Sequence, residues 1–322
     1  MAKAFSHING NSMFYFPSTP NPNRSFPLLL PFSKPFRVTS ISMSCNQSYW
    51  ASISDDIEAH LKQAIPVREP LAVFEPMHHL MFAAPRSSAP ALCVAACELV
   101  GGHRDQALPA ASAIHVVYAA SFSHEHLPLT ESSRPKSKVE HVYGPSIELQ
   151  IGDALIPFGL ELLAQSDDPT QNNSERILRV MVEITRAMGS QGMIRGQFYQ
   201  VEPYGSDENE SSRIEQMERV SEKYEGTLYG CAAACGAIIG GGSEEEIERM
   251  RKYGSYIGKI HGIANRSGSI GIGIGIGKDL MRRMVGELRN LATNNELRGF
   301  NEAKVEAILN SQFSLIDSSC ND

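Results

Sequence analysis

Leu92-Cys93-Val94-Ala95-Ala96-Cys97 and Gly230-Cys231-Ala232-Ala233-Ala234-Cys235 are the two stretches on which the fold turns. Each sets two cysteines four positions apart among alanines. Each also runs into a glycine cluster, Gly101-Gly102 in the first case and Gly240-Gly241-Gly242 in the second. Positions i and i+4 share a helix face, so each stretch offers a smooth strip with two polarizable thiols, along which another helix can come close. A disulfide from i to i+4 on one helix would be strained, because the Cβ vectors splay apart, and the spacing is not that of a secreted disulfide framework; free thiols are expected. Two pairs also admit a zinc site with four thiolate ligands, which usually come from short turns. Alanine-rich helices without turn residues favour packing instead, since a free cysteine behaves as a small hydrophobe. The strips read as contact surfaces, and spacing leaves open whether the contact lies within one chain or between two.

Outward from these stretches the chain reads helical almost throughout. Ala91 to Val100 and Ala107 to Phe122 are Ala-rich and apolar all round, which marks central, buried helices. Ser54 is placed to cap a helix carrying Ile57, Leu61 and Ile65 on one face and ended by Pro66, and a second helix follows Pro70 through Met77 and Leu80 to Pro85. Ile147 to Leu163 and Ser174 to Met188 are further helices, the latter with a clean stripe of Ile177, Val180, Met181 and Ile184. Ser211 to Tyr229 leads into the second cysteine stretch. Ser243 with Glu246 forms a capping box that opens a helix through Arg249, Tyr253 and Ile257, and Glu244-Glu245-Glu246 suits its dipole as a solvated first turn. Leu280 to Leu291 and Asn301 to Leu309 close the series, with polar loops at Ser166–Ser174 and Gly205–Ser212. The alternation of Gly and Ile from Ser269 to Gly277 is read as a linker; a phosphate-cradling Gly-Lys loop would need Ser or Thr after Lys278, and Asp279 stands there.

The first 54 residues contain no Asp or Glu, four basic residues (Lys3, Arg24, Lys34, Arg37), many serines and proline-rich runs such as Phe16 to Pro22. An acid-free, Ser-rich, weakly basic leader reads as an organelle transit peptide, and its Ser/Pro/Phe character favours a plastid; a disordered cytosolic tail is the plainer alternative. Residues 1–54 are therefore assigned as leader and 55–322 as one helical domain. Without the four basic residues of the leader the net charge of −7 becomes −11, which argues against nucleic-acid binding. No apolar run approaches the roughly 18 residues of a membrane span.

Several ordered landmarks carry a resemblance. The stretch from Leu92 to Gly102 is similar to the second core helix of plant geranylgeranyl diphosphate synthases. His124-Glu125-His126-Leu127-Pro128-Leu129-Thr130-Glu131 resembles their H-D-D-L-P-x-x-D segment, and His141 to Gly144, Gly152 to Leu155, Gly196-Gln197 and Gly236 to Gly241 follow in the family's order. The likeness spans nearly all of the chain after the leader and weakens beyond about Lys259. It implies an all-α isoprenoid-synthase helical bundle and, for the family, Mg²⁺ held by two facing D-D-x-x-D motifs that neutralise the leaving diphosphate.

Both motifs are missing. Glu125 and His126 stand where the two leading aspartates belong, with Glu131 as the next acid; Asn265, Arg266 and Ser269 fall at the second motif, where Arg266 adds a cation. The segment that binds isopentenyl diphosphate in the family becomes Ala84 to Pro90 and keeps one basic residue, Arg86. An acidic chain with no carboxylate cage and few phosphate cations is poorly suited to a diphosphate. Histidines two apart on a helix point to different sides, so His124 and His126 do not make a metal pair, and His78-His79 read as helix-lining.

Lost aspartates, two C-x-x-x-C stretches and a plastid-type leader together resemble the small-subunit family of heteromeric plant geranyl diphosphate synthases. The resemblance implies a regulatory subunit of the plastid stroma, inactive alone. It implies pairing as a heterodimer or heterotetramer with a geranylgeranyl-diphosphate-synthase-like large subunit, to make C10 geranyl diphosphate for monoterpenes. No cofactor is then expected in this chain, Mg²⁺ belonging to the large subunit, and Cys93, Cys97, Cys231 and Cys235 are implicated in association. Two other readings stay open: a weakly active stand-alone prenyltransferase with degenerate motifs, and a helical protein that binds an isoprenoid or zinc.

Overall fold

The computed structural model describes residues 45–127, 142–168, 170–201, 210–267 and 276–301, with 304, 305 and 308. Among them there is no strand. The helices are α1 (Cys45–Ala64), α2 (Leu71–Ala83), α3 (Ala89–Leu99), α4 (Arg104–His126), α5 (Pro145–Ala164), α6 (Ser174–Met188), α7 (Met193–Val201), α8 (Glu210–Ser221), α9 (Thr227–Gly240), α10 (Glu244–Ser267) and α11 (Ile276–Leu291). Two π turns, Glu222–Gly226 and Ala292–Glu296, lie between α8 and α9 and after α11.

The two cysteine stretches form the middle of the bundle. Every residue of α9 from Leu228 to Ile239 is buried, and α9 packs most extensively against α10 and α3, then against α6 and α4. Close packing is built from small residues. A Cβ on Gly236 would stand 1.9 Å from the carbonyl oxygen of Cys93, and one on Gly240 2.8 Å from that of Cys97. Two glycines four apart on α9 therefore meet the backbone beside two cysteines four apart on α3, and any side chain would force the helices apart. Around this seam, α6 lays its Ile177, Val180 and Ile184 stripe inward. Among the described residues no helix is long and apolar enough to cross a membrane.

Ser54 does not begin the first helix. Helix α1 starts at Cys45, and the Ser54 hydroxyl donates to the Trp50 carbonyl at 3.0 Å within it. Trp50 and Ile53 are buried and extend the Ile57, Leu61 and Ile65 stripe by two turns; the acid-free stretch 45–54 packs as well as the acidic turns that follow it, so charge is the wrong boundary marker. The helical body accordingly includes residues 45–54, which the composition assigns to the leader; residues 1–44 lie outside the described residues. The span from Ser211 to Tyr229 is not one regular helix, since the π turn at Glu222–Gly226 interrupts it. Helix α7 has no counterpart among the expected helices. The capping box is present: the Ser243 amide and hydroxyl both donate to Glu246, and the Glu246 amide donates back to Ser243 Oγ. Most of the Gly/Ile repeat is outside the described residues, but Ile276 and Gly277 already belong to α11.

Candidate functional site: a thiol seam and a cleft without a carboxylate cage

The four cysteines come together by pairs in the α3–α9 seam. All are free and buried. Cys231 Sγ lies 3.7 Å from Cys235 Sγ, and Cys97 Sγ donates to the His103 carbonyl at 3.5 Å. Burial, then the neighbouring thiols, drive the Cys93 thiol well above its usual range; burial, then Glu98, push Cys97 up to about 12. The hydrogen bond with Cys231, together with burial, raises Cys235. Neutral thiols at physiological pH are poor nucleophiles and poor metal ligands. Among the described residues no three or more Cys, His, Asp or Glu side chains gather closely enough to hold a metal ion. The strips thus face each other inside the chain. Within this chain the sulfur atoms of Cys93, Cys97, Cys231 and Cys235 pack the core, so a part in association with another subunit would pass through the helices they space.

The degenerate motifs sit elsewhere, where the C-terminal part of α4 approaches α7, the first π turn and the end of α10. His124 Nε2 stands 3.2 Å from Asp153 Oδ1 on α5, and His126 stacks on Phe122 with its Nδ1 2.9 Å from the Phe122 carbonyl. Glu125 accepts a hydrogen bond from Gln200 Nε2 at 2.7 Å. Gln197 Nε2 donates to Ser121 Oγ at 3.0 Å, and that hydroxyl lies 3.3 Å from the Tyr224 hydroxyl. Glu131 is outside the described residues. On α10, Asn265 is exposed, and Arg266 Nη1 makes a 2.6 Å ion pair with Glu225 of the π turn; Ser269 is outside the described residues. Burial raises the Glu225 carboxyl despite Arg266 beside it, and burial followed by Glu125 raises the Tyr224 hydroxyl well above its usual range.

These residues do not fit a magnesium cage. Mg²⁺ prefers carboxylate oxygens and waters in near-octahedral array, whereas here Glu125 is engaged by an amide, Glu225 by a guanidinium, and a cation already stands on α10. Arg86, the one basic residue of its segment, is 77 % exposed and paired with Glu58 at 2.6 Å. It lines a cavity of about 200 Å³ with Ser54, Ile57, Phe82, Ser87 and His115. Burial lowers the pKa of His115, whose Nε2 lies 3.1 Å from the Met81 carbonyl.

A model of the polyprenyl synthetase family matches residues 71–265. The chain belongs to the polyprenyl synthetase family. Within it, the chain is similar to the chloroplastic small subunit 2 of a heterodimeric geranylgeranyl pyrophosphate synthase from Cannabis sativa. The two are 50% identical over 266 residues, covering 82% of this chain and 90% of that one. Among solved structures it is similar to the geranyl diphosphate synthase small subunit from Antirrhinum majus, with a TM-score of 0.75, 47% identity, and 84% and 99% of the two chains covered. A mint deletion mutant of heterotetrameric geranyl pyrophosphate synthase, in complex with ligands, matches with a TM-score of 0.72 and 43% identity over 83% of this chain and 99% of that one. The polyprenyl synthetase fold is thus the all-α isoprenoid-synthase bundle expected from the landmarks, and the resemblance to small subunits holds over most of the chain.

Sequence reasoning reached Arg266 but not Glu225, its partner 41 residues away. The available signal was weak: Gly258 and Gly262, four apart on α10, leave space for a side chain from a neighbouring element.

Proposed function

We propose that the chain is the non-catalytic, partner-binding subunit of a plastid prenyl diphosphate synthase. It binds a geranylgeranyl-diphosphate-synthase-like large subunit and directs that subunit towards C10 geranyl diphosphate. The observation that carries this reading is the Arg266–Glu225 pair. At the position where a second carboxylate cluster would gather metal and leaving diphosphate, the chain presents a guanidinium already satisfied by an internal acid. Heterolysis of an allylic diphosphate needs the leaving group neutralised, and none of the described residues in this cleft supplies that; Mg²⁺ then belongs to the large subunit.

Two further features support the reading. The Cannabis sativa and Antirrhinum majus proteins are both named small subunits, the former of a heterodimeric synthase and chloroplastic, which fits a leader ahead of α1 and a stromal location. In addition, large apolar side chains stand exposed on α6 and α7: Leu178 and Val182 four apart on one, Ile194, Phe198 and Val201 on the other, with Leu178 63% and Phe198 67% exposed. Apolar side chains clustered in this way mark interaction sites more often than free surface, and a partner subunit would bury them. The thiol seam contributes by holding α9, against which α6 packs, in register with α3.

The experiment is co-expression of the chain with a geranylgeranyl diphosphate synthase large subunit, followed by co-purification and measurement of product chain length. The reading expects a stable complex whose C10 fraction rises above that of the large subunit alone. A complex that makes only C20 would overturn the C10 assignment, and failure to co-purify would overturn the partnership.

A further inference from the structure

The Arg266–Glu225 ion pair, which the proposed function uses only as the mark of a missing carboxylate cluster, also has a part in the fold. Glu225 sits in the π turn between α8 and α9, and π turns are mostly single-turn bulges within helices, frequent at functional sites. Its carboxylate is 14% exposed, and its partner Arg266, on the last turn of α10, is 19% exposed. Arg266 Nη1 donates to Glu225 Oε2 at 2.6 Å and to the Gly262 carbonyl at 3.3 Å, and lies 3.5 Å from Ser221 Oγ. The space for this arrangement is reserved by glycine: a Cβ on Gly262 would stand 2.6 Å from Glu225 Oε2 and 2.7 Å from Ser221 Cβ, and one on Gly258 2.2 Å from the Glu225 carbonyl. Around the pair are Tyr118, Tyr224 and Tyr229, whose hydroxyls burial raises, with Glu125 on the α4 side. Glu225 and Arg266 are thus largely withdrawn from water, with the half-buried Glu125 on one side of them.

We propose that Arg266 is a built-in counter-cation, which locks the π turn to α10 and makes the packing of these two elements independent of any bound metal or diphosphate. A buried carboxylate needs a positive partner, which a ligand-binding cleft would take from solution. Here the chain provides it covalently, on a helix that glycine brings within reach. The consequence is a subunit that reaches its final shape without ligand. This inference concerns the chain alone and holds or fails separately from the partnership proposed above.

The test is a double-mutant cycle on the full chain, read by thermal unfolding with and without saturating Mg²⁺ and inorganic pyrophosphate. Glu225→Gln and Arg266→Met each leave one buried partner uncompensated, and removing half of a buried pair costs far more than replacing both halves. Each single variant should lose about 5–10 °C in Tm, and the double variant should recover most of that loss. The wild type should not shift with Mg²⁺ and pyrophosphate, since a ligand that bound the native state would raise its Tm. Additive losses in the double variant, or a rise in wild-type Tm with the two ligands, would overturn the proposal. Should Arg266→Met fail to fold alone, the double variant is compared directly with wild type: a folded double variant supports the lock, and an unfolded one refutes it.

Discussion

Helices α9 and α10 are neighbours in sequence and in space, yet they are built on opposite rules. From Leu228 to Ile239, α9 buries every side chain without one charge, and its fit depends on how small those side chains are. Helix α10 instead turns charged side chains inward at two levels: Arg251 makes a bidentate pair with Glu183 of α6 at 2.7 and 3.0 Å, and Arg266 meets Glu225. The difference separates what holds the bundle together from what closes its cleft. The thiol seam is packing, and it tolerates no extra volume. The cleft is electrostatics, and it tolerates no missing partner.

The seam can be broken most severely at Gly236. A valine there would place atoms inside contact distance of the Cys93 carbonyl, and Gly236→Val should leave little folded protein, measured as loss of the cooperative thermal transition. Next comes the exposed face on α6 and α7. Phe198→Glu should leave the Tm of the isolated chain unchanged and weaken association with the large subunit by about 100-fold, as loss of an aromatic anchor does, measured by titration calorimetry or co-purification. Cys93→Leu sharpens the contrast, because it adds volume to a filled seam; it should cost about 1–3 kcal/mol by chemical denaturation, with association weakened only as far as the fold is. Smallest of all is Arg86→Ala. The Arg86–Glu58 pair is largely exposed, so stability should change by less than about 0.5 kcal/mol. A larger change would show that the cavity beside it depends on that charge.

Much of this was legible because helical packing writes itself locally. The stripe of α6 and the Ser243–Glu246 box have their partners within one or two turns, so both were readable at their correct positions. Helix α7 escaped because nine residues with Gly196 near their centre carry Ile194, Phe198 and Val201 towards solvent, which is not the pattern of a helix that buries its apolar face. The start of α1 escaped because the first acid marks a change of composition, and the stripe through Trp50 and Ile53 ignores it. For the cysteines, chemistry and helix were readable but direction was not: small residues are what any close helix contact requires, inside a subunit or across two. Glu225 was hidden for a different reason. Its orientation comes from a π turn, and its partner is supplied by a helix that the chain reaches only after α9.

The most direct measurement is incorporation of labelled isopentenyl diphosphate by the purified chain alone, supplied with Mg²⁺ and dimethylallyl diphosphate. A cleft closed by Arg266 and Glu225 predicts turnover indistinguishable from a no-protein control, with activity appearing only when the large subunit is added. Steady C10 formation by the lone chain, at a rate proportional to its concentration, would contradict the account.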